Sequence, residues 1–402
     1  MFLRNEPVCI SPGRKSGASR RVVLAIATVG AAAVLGGISG VGPAQAADPI
    51  KVGAIFPMSG GAGPVGQGMA KAATAMVSLI NGDGGVMGRP IELIIRDDES
   101  TPAVGAAKAS ELLSLGASVI IEGYNSPVTL AMQPIIARGN VLDITIAAKA
   151  DAILGNKTNP YAIRMNSSGA LDGEATAQYI IDTLKARRIG FVVENDAYGK
   201  STQKGIEDSL KARGWQYEKV SEQLFPFQQT DFRVALSNIK GANPDAVVLI
   251  NASDASGMPA LVQQYRQMEI PAAVVMTVGQ ISQPMIDALG ASANGLTGSD
   301  IYVSDAPSLG ADAVHQRFVA ELRKQGVSEP DKYMALTAAA LQIWALTANS
   351  QQTLDREKLG RAIQGHTVKG TILGDVTFRE DGQLNHRLMP VIVRDGRIRS
   401  AK

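Results

Sequence analysis

Short apolar runs alternate with helix-forming stretches over residues 50–146, and this alternation constrains the fold more than any other feature of the chain. The predicted strands are 50–56, 91–95, 118–122 and 142–146, and the predicted helices are 69–80, 102–115 and 128–138. A glycine-rich turn is predicted over 59–68. Strand–helix–strand units imply right-handed crossovers and a parallel sheet that helices cover on both faces.

The same alternation starts again after residue 166. The second set of predicted elements comprises helices 173–185, 199–213, 231–240 and 255–268 and strands 188–194, 217–222, 246–250 and 273–277. Two sets of similar length predict an α/β protein of two doubly wound lobes that join near residues 164–166. Later predicted elements are helices 312–325 and 333–349 and strands 374–378 and 390–394, the two strands pairing through an Asp381-Gly382 turn.

The N-terminal segment has the three parts of a secretory signal peptide. Basic residues precede an apolar run at 22–42, and a small-x-small sequence follows at 44–46. We therefore predict that residues 1–46 are removed on export and that the mature chain begins at Ala47 or Asp48. A retained membrane anchor is the alternative, because the apolar run is nearly long enough to span a bilayer.

Two export routes are compatible with this segment. Arg20 and Arg21 resemble the pair of a twin-arginine signal, whereas the general secretory route needs no such pair. The only cysteine is Cys9, which precedes the apolar run instead of following the cleavage site, where a lipoprotein needs it. The mature chain is therefore predicted to contain no disulfide.

Positive charge is concentrated in the same N-terminal segment. The full chain has 39 Lys and Arg against 37 Asp and Glu. Residues 1–46 contain five of the bases and one of the acids, so 34 bases and 36 acids remain. A near-neutral mature chain, with aromatic residues at only 4% of the sequence, gives no support for a nucleic acid or an anionic membrane surface as a partner.

Two α/β lobes leave a cleft between them, and in open parallel sheets ligands bind at the carboxyl ends of the strands. Hinge closure around such a cleft can hold a small solute. The residues that directly follow the predicted strands are therefore candidate ligand contacts. They are Ser59, Asp97, Ser126, Lys149, Tyr198, residues 251–254 and Gln280.

A glycine pattern indicates an enzymatic alternative. Gly61, Gly63 and Gly66 fit the G-x-G-x-x-G dinucleotide fingerprint between a predicted strand and a predicted helix, and Asp97 could contact a ribose. The first glycine does not follow the strand directly, however, and the acid lies about 30 residues beyond the motif where roughly 20 are expected. We therefore favour a glycine-rich loop whose N–H groups face the cleft.

The sequence indicates no other catalytic or metal site. Its three histidines, His315, His366 and His386, are scattered without the spacing of metal ligands. Motifs for a nucleophile elbow, a zinc protease or a phosphate-binding loop are absent from the sequence. We predict no metal, no cofactor and no catalytic residue.

Several segments, in order along the chain, together resemble one family. They are IKVGAIFPMSGGAG from residue 50, INGDGGVMGRPIELIIRDDES from residue 80, Asp196-Ala197-Tyr198-Gly199, Gln229-Thr230-Asp231-Phe232 and Ala242-Asn243-Pro244-Asp245. They resemble the periplasmic solute-binding proteins of branched-chain amino-acid-type ABC transporters, the leucine/isoleucine/valine-binding family of type I periplasmic binding proteins. The resemblance implies two doubly wound parallel-sheet lobes joined by three hinge segments. It divides the chain into lobe 1, 47–166 and 298–370, and lobe 2, 167–297 and 371–402.

In that family, hydroxyl and N–H groups of the first lobe bind the carboxylate of an amino acid, an acid of the second lobe binds the ammonium, and tyrosines close the cleft. By resemblance, Ser126 binds the carboxylate and Tyr198 closes the cleft. Three positions depart from the pattern. Lys149 lies near the expected threonine, Val65 replaces a tyrosine, and residues 278–280 contain no acid for an ammonium.

These departures lead us to predict a small organic acid, with aromatic carboxylates among the candidates and Lys149 as a point charge for the carboxylate. An amino acid held through Asp254 is the alternative, and an amide or urea-like solute is the third candidate. The predicted ligand contacts are Ser59, Tyr124, Ser126, Lys149, Tyr198, Ser253, Asp254 and Gln280.

We therefore predict a monomeric periplasmic binding protein that is not an enzyme and that delivers its solute to an ABC transporter permease. Two alternatives stay open. One is a sensory ligand-binding module that reports to a receptor. The other is an exported NAD(P)-dependent oxidoreductase that uses the loop at residues 61–66.

Overall fold

A computed structural model describes residues 48–155, 157–306 and 312–401. The predicted signal peptide, its cleavage site, the alternative membrane anchor and Cys9 lie outside these residues. Within the described part of the chain, no helix has both the length and the apolar character needed to cross a membrane.

Five parallel strands form the sheet of the first lobe, in the order β2-β1-β3-β4-β5. The strands are β1 (Ile50–Phe56), β2 (Ile91–Asp97), β3 (Val119–Glu122), β4 (Leu142–Thr145) and β5 (Ile163–Arg164), and the connecting helices are α1 (Gly63–Gly82), α2 (Pro102–Ser114) and α3 (Ser126–Arg138). Alternate side chains of β1 enter different cores, because Val52 and Phe56 pack with α1 whereas Ile55 packs with α2 and α3.

Three later helices also pack on the first lobe. They are Ala313–Arg323, Lys332–Gln351 and Arg356–Ile363. Helix Lys332–Gln351 lies along α1, and the Trp344 side chain is fully buried in the same core. The chain therefore returns to the first lobe after it has formed the second.

Four parallel strands form the sheet of the second lobe, in the order β7-β6-β8-β9. The strands are β6 (Arg188–Glu194), β7 (Glu218–Phe225), β8 (Ala246–Ile250) and β9 (Ala273–Met276), and the helices are α4 (Gly169–Tyr179), α5 (Ala197–Ala212), α6 (Arg233–Ala242), α7 (Gly257–Gln267) and α8 (Gln283–Leu289). Every residue of β8 is buried, as a central strand covered on both faces requires. The two-lobe α/β prediction is confirmed.

The pairing predicted for the C-terminal strands is wrong. The strands concerned are β10 (Thr297–Asp300), β11 (Thr367–Thr371), β12 (Gly374–Thr377), β13 (Met389–Arg394) and β14 (Arg397–Ser400). β12 pairs with β11, and β13 lies between β10 and β14. Gly374, at φ +82°, allows the tight turn that gives β12 a nearer partner. The predicted turn at 381–382 closes a short loop with one isolated β-bridge, between Phe378 and Leu384, and does not join β12 to β13.

The last part of the chain packs on both lobes. Ile372, Phe378 and Leu384 belong to the core of the first lobe, whereas Val391 and Val393 belong to a core of the second. The predicted lobe boundaries stay a prediction. This packing favours a final crossing after Leu384 over one at residue 370.

Helices α4 and α5 pack closely through glycines. A Cβ atom at Gly173 would lie 2.1 Å from the carbonyl carbon of Gly205. We expect Gly173→Ala to lower the free energy of unfolding by about 1–3 kcal/mol, because the helices must move apart.

Gly241→Ala in α6 is the control, since its new Cβ would meet no atom within 4 Å. It should raise the free energy of unfolding by about 0.5–1 kcal/mol through helix propensity. Similar urea denaturation curves for the two variants would contradict the close helix pairing.

Candidate functional site

A small cavity lies between the lobes at the carboxyl ends of both sheets. Its volume is about 30 Å³, and its walls come from residues that follow β3, β4, β6, β8 and β9 and from the start of helix Lys332–Gln351. Most of the predicted ligand contacts lie in these walls. They are Tyr124, Ser126, Lys149, Tyr198, Asp254 and Gln280.

Ser59 and Ser253 do not lie in the cavity wall. Ser59 is exposed in the turn before α1, where its N–H donates to Asp97 Oδ1 at 3.2 Å. Ser253 is fully buried, and its Oγ lies 2.9 Å from Ser256 Oγ and accepts the Gly257 N–H at 3.1 Å. Ser253 therefore shapes the loop that follows β8, and Ser59 shapes the turn that follows β1.

Asn125, Asp196 and Tyr333 line the cavity although they were not among the predicted contacts. Asn125 and Asp196 are the N-cap residues of α3 and α5. Both could have been identified from the sequence, because each is a polar N-cap residue that comes shortly after a predicted strand. Tyr333 comes from a helix that lies far along the chain, and no local pattern places that helix at the cleft.

Ser126 is the first residue of α3, and its Oγ accepts the N–H groups of Lys149 and Ala150, each at 3.1 Å. These bonds fix the hydroxyl oxygen and leave its proton for another acceptor. The N-terminal end of a helix also attracts negative charge. This side of the cavity is therefore suited to a carboxylate.

Lys149 is 6% exposed, and its ammonium is already bound by protein atoms. Its Nζ donates to Asp172 Oδ2 and to the Val278 carbonyl oxygen, both at 2.6 Å. Burial lowers the pKa of Lys149, and the charge of Asp172 opposes that effect. Since a lysine has three donor hydrogens, Lys149 can offer one more hydrogen bond to the cavity, but its charge is largely neutralised.

Asp254 gives the cavity an acidic group from the second lobe. It is 2% exposed, and its Oδ2 has no hydrogen-bond partner among the described residues. Burial raises the pKa of Asp254 to about 6, and the charge of Lys332 partly opposes this. A buried carboxylate with an unpaired oxygen is costly, so this position favours a ligand that donates a hydrogen bond.

Three tyrosines form an aromatic part of the cavity wall. The rings of Tyr124 and Tyr333 meet edge to face with centroids 5.2 Å apart. The Tyr124 hydroxyl donates to the Ala252 carbonyl oxygen at 2.9 Å, and the Tyr198 hydroxyl accepts from Gln280 Nε2 at 3.2 Å. Burial raises the pKa of each of these phenols well above its ordinary value. They therefore act as neutral hydrogen-bonding groups.

The raised pKa of Asp254 predicts a pH-dependent effect of Asp254→Asn. A carboxyl group whose pKa is higher in the folded state contributes stability at low pH and loses it as pH rises through the folded-state value. The free energy of unfolding of the variant, relative to the wild type, should therefore increase by about 2–3 kcal/mol between about pH 4 and about pH 7.5. Denaturation across this range measures the change.

Asp231→Asn is the control for this pH experiment. Hydrogen bonds from Arg233 lower the pKa of the exposed Asp231 to about 2. The contribution of Asp231 to stability therefore changes mainly at pH values below the range of the experiment. We expect the difference in the free energy of unfolding between variant and wild type to stay constant with pH for Asp231→Asn and to grow with pH for Asp254→Asn. Parallel curves for both variants would show that Asp254 is not a costly buried charge.

Two of the three glycines of the dinucleotide fingerprint, Gly61 and Gly66, are explained by packing against protein atoms. The predicted glycine-rich turn is shorter than expected, because α1 already begins at Gly63. A Cβ at Gly66 would lie 2.1 Å from the Pro57 carbonyl oxygen, and one at Gly61 would lie 2.5 Å from Cγ of Gln228 in the second lobe. These glycines thus permit close approach of helix to strand and of lobe to lobe.

The comparison with known families decides what kind of protein has this cleft. A family model described as "Periplasmic binding protein" matches residues 49–397. The chain belongs to the periplasmic binding protein family. This confirms the resemblance found in the sequence, and it implies an extracytoplasmic protein that binds a small solute and works with a membrane permease.

Curated relatives of this periplasmic binding protein have matching names. The Leu/Ile/Val-binding protein homolog 1 of Brucella abortus is 24% identical over 344 residues, which cover 83% of this chain and 87% of the relative. The Leu/Ile/Val-binding protein of Escherichia coli K12 is 24% identical over 346 residues, covering 84% and 89%. Both relatives are named as binding proteins, not as enzymes.

Solved structures share the two-lobe fold. A leucine-binding protein from Thermotoga maritima gives a TM-score of 0.78 at 20% identity, covering 88% of this chain and 98% of its own. A solute-binding protein from R. palustris in complex with benzoate gives 0.76 at 22% identity, covering 88% and 95%.

Over residues 48–155, 157–306 and 312–401, no group of three or more His, Cys, Asp or Glu side chains is placed to hold a metal ion.

Proposed function

We propose that this periplasmic binding protein is the solute-binding component of an ABC importer and captures a small carboxylate by hinge closure. The main support is the cavity between the lobes, in which Ser126 and the start of α3 in the first lobe and Asp254 of the second line the same walls. A solute whose carboxylate lies at Ser126 would place its other end near Asp254. No bond is broken in this capture.

The charges of the cavity favour a ligand that has both a carboxylate and a hydrogen-bond donor. Lys149 pairs with Asp172 and so does not present an unpaired positive charge to a simple organic acid. An ammonium or hydroxyl group of the ligand would give Oδ2 of Asp254 the donor that this oxygen lacks. An amino acid meets both requirements. An aromatic hydroxy acid is the second candidate, because the three tyrosines supply an aromatic wall.

A thermal-shift screen with leucine, isoleucine, benzoate and 4-hydroxybenzoate tests this proposal, since a ligand of the folded state raises the melting temperature. Calorimetric titration of the positive compounds then gives affinities. Asp254→Asn should weaken amino-acid binding by about 10- to 100-fold, because it removes a charged hydrogen-bond partner. Asp287→Asn, an exposed residue of α8 outside the cavity wall, is the matched control. Failure of all carboxylates to bind would overturn the proposal.

We also propose that the mature chain begins at Ala47 or Asp48 and acts in the periplasm as a monomer. The basic, apolar and small-residue parts of residues 1–46 support export. Mass spectrometry of the secreted protein identifies its N-terminus, and size-exclusion chromatography with light scattering gives its molecular mass. A retained N-terminal segment in the exported protein would contradict the predicted cleavage.

A further inference from the structure

Two lysines of the first lobe contact consecutive backbone carbonyl groups of the second lobe. Lys149 Nζ donates to the Val278 carbonyl oxygen at 2.6 Å, and Lys332 Nζ donates to the Gly279 carbonyl oxygen at 2.6 Å. Both lysines are nearly buried, at 6% and 5% exposure. The loop that follows β9 is therefore bound to the first lobe by two ammonium groups.

Each lysine has a buried carboxylate partner. Lys149 Nζ lies 2.6 Å from Asp172 Oδ2, and Lys332 Nζ lies 3.6 Å from Asp300 Oδ1. Asp172 and Asp300 are at most 1% exposed. Because a buried charge is tolerated only when it is paired, neither ammonium can leave its place in the closed cleft without leaving a carboxylate unpaired.

The geometry of the loop depends on Lys332. Gly279 has a φ of +69°, and a Cβ there would lie only 2.0 Å from Lys332 Nζ. The next residue, Gln280, lines the cavity, where its side-chain oxygen accepts the Thr277 N–H at 2.8 Å and its Nε2 donates to Tyr198. The position of the loop thus sets part of the ligand-binding wall.

We propose that Lys332, together with Lys149, is a positioning residue that latches the loop at residues 277–280 to the first lobe and stabilises the closed cleft independently of ligand. This lysine latch rests on the closure mechanism proposed above. When the lobes separate, both ammonium groups lose their carbonyl acceptors on the second lobe. The free energy of closure therefore includes hydrogen bonds made by the chain's own cations, in addition to those made by the ligand.

Electron–electron distance measurements between two spin labels test the latch. Cysteines at Gln67 and Thr230 are suitable, because both residues are exposed and lie on different lobes, and the mature chain has no cysteine of its own if the signal peptide is removed. Lys332→Met removes the ammonium. Lys332→Met combined with Asp300→Asn removes both charges, so that no carboxylate is left unpaired. Lys324→Met is the control, because Lys324 is 71% exposed and pairs with Glu321.

Without added ligand, the ratio of the closed to the open population should be at least about tenfold lower in the double variant than in the wild type. The control should match the wild type. An unchanged distribution in the double variant, with a wild-type circular dichroism spectrum, would overturn the latch. If the single variant does not fold, the charge-balanced double variant decides. Leucine or benzoate, whichever raises the melting temperature, tests the capture mechanism separately. A bound ligand that fails to raise the share of closed distances in the double variant, where the open form is populated, would contradict hinge closure itself.

Discussion

Replacing Asp172 by asparagine is expected to lower the free energy of unfolding by about 3–5 kcal/mol, because the ammonium of Lys149 would stay buried without a counter-ion. Asp172 is fully buried and accepts from Lys149 Nζ at 2.6 Å and from Ser167 Oγ at 2.5 Å. An asparagine keeps the shape of the side chain but not its charge. Chemical denaturation near neutral pH measures the loss.

Glu174→Gln is the matched control for Asp172→Asn. Glu174 lies on the same helix, α4, but its side chain is 64% exposed and lies 3.8 Å from Arg213. Exposed ion pairs contribute only about 0–1 kcal/mol. The double variant Lys149→Met with Asp172→Asn should be more stable than Asp172→Asn alone, because no charge is left unpaired. Equal losses for Asp172→Asn and Glu174→Gln would show that the buried pair does not stabilise the fold.

The two lobes could be predicted because the strands of a buried parallel sheet are continuous apolar runs. The predicted strands 188–194 and 246–250 coincide with β6 and β8. The small antiparallel sheet could not be predicted in the same way. Its strands β10 and β14 are four residues long and mostly polar. β10 pairs with β13 across a long stretch of chain, and no local pattern specifies that partner. β13 and β14 form a hairpin around Asp395-Gly396, a turn sequence that could have predicted this one pairing.

Residues of the candidate site could be predicted where a position directly after a strand was sufficient to place them at the cleft. Ser126, Tyr198 and Gln280 follow strands of their own lobe, and the topology alone places them near the cleft. The sequence gives no sign that Lys149 pairs with Asp172, because that contact needs both lobes in place. The same limit applies to Lys332, which enters from a helix that returns to the first lobe after the second lobe is complete.

Gly279→Ala is expected to disturb both the stability and the closure of the cleft. Two effects combine at this position. An L-residue at a positive φ costs about 1–2 kcal/mol, and the new Cβ, 2.0 Å from Lys332 Nζ, should cost about 1–3 kcal/mol more by overpacking. The displaced ammonium would also lose the Gly279 carbonyl oxygen. The charges of the protein stay the same, so the variant tests the fit of the latch and not its net charge.

Gly295→Ala separates the two effects. Gly295 has a φ of +84°, and a Cβ there would meet no atom within 4 Å, so this variant reports the backbone cost alone. We expect both variants to lose stability in chemical denaturation, with the larger loss for Gly279→Ala. Only Gly279→Ala should shift the spin-label distances between residues 67 and 230 toward the open form. If the two variants have the same stability and the same distances, the contact between Gly279 and Lys332 does not hold the lobes together.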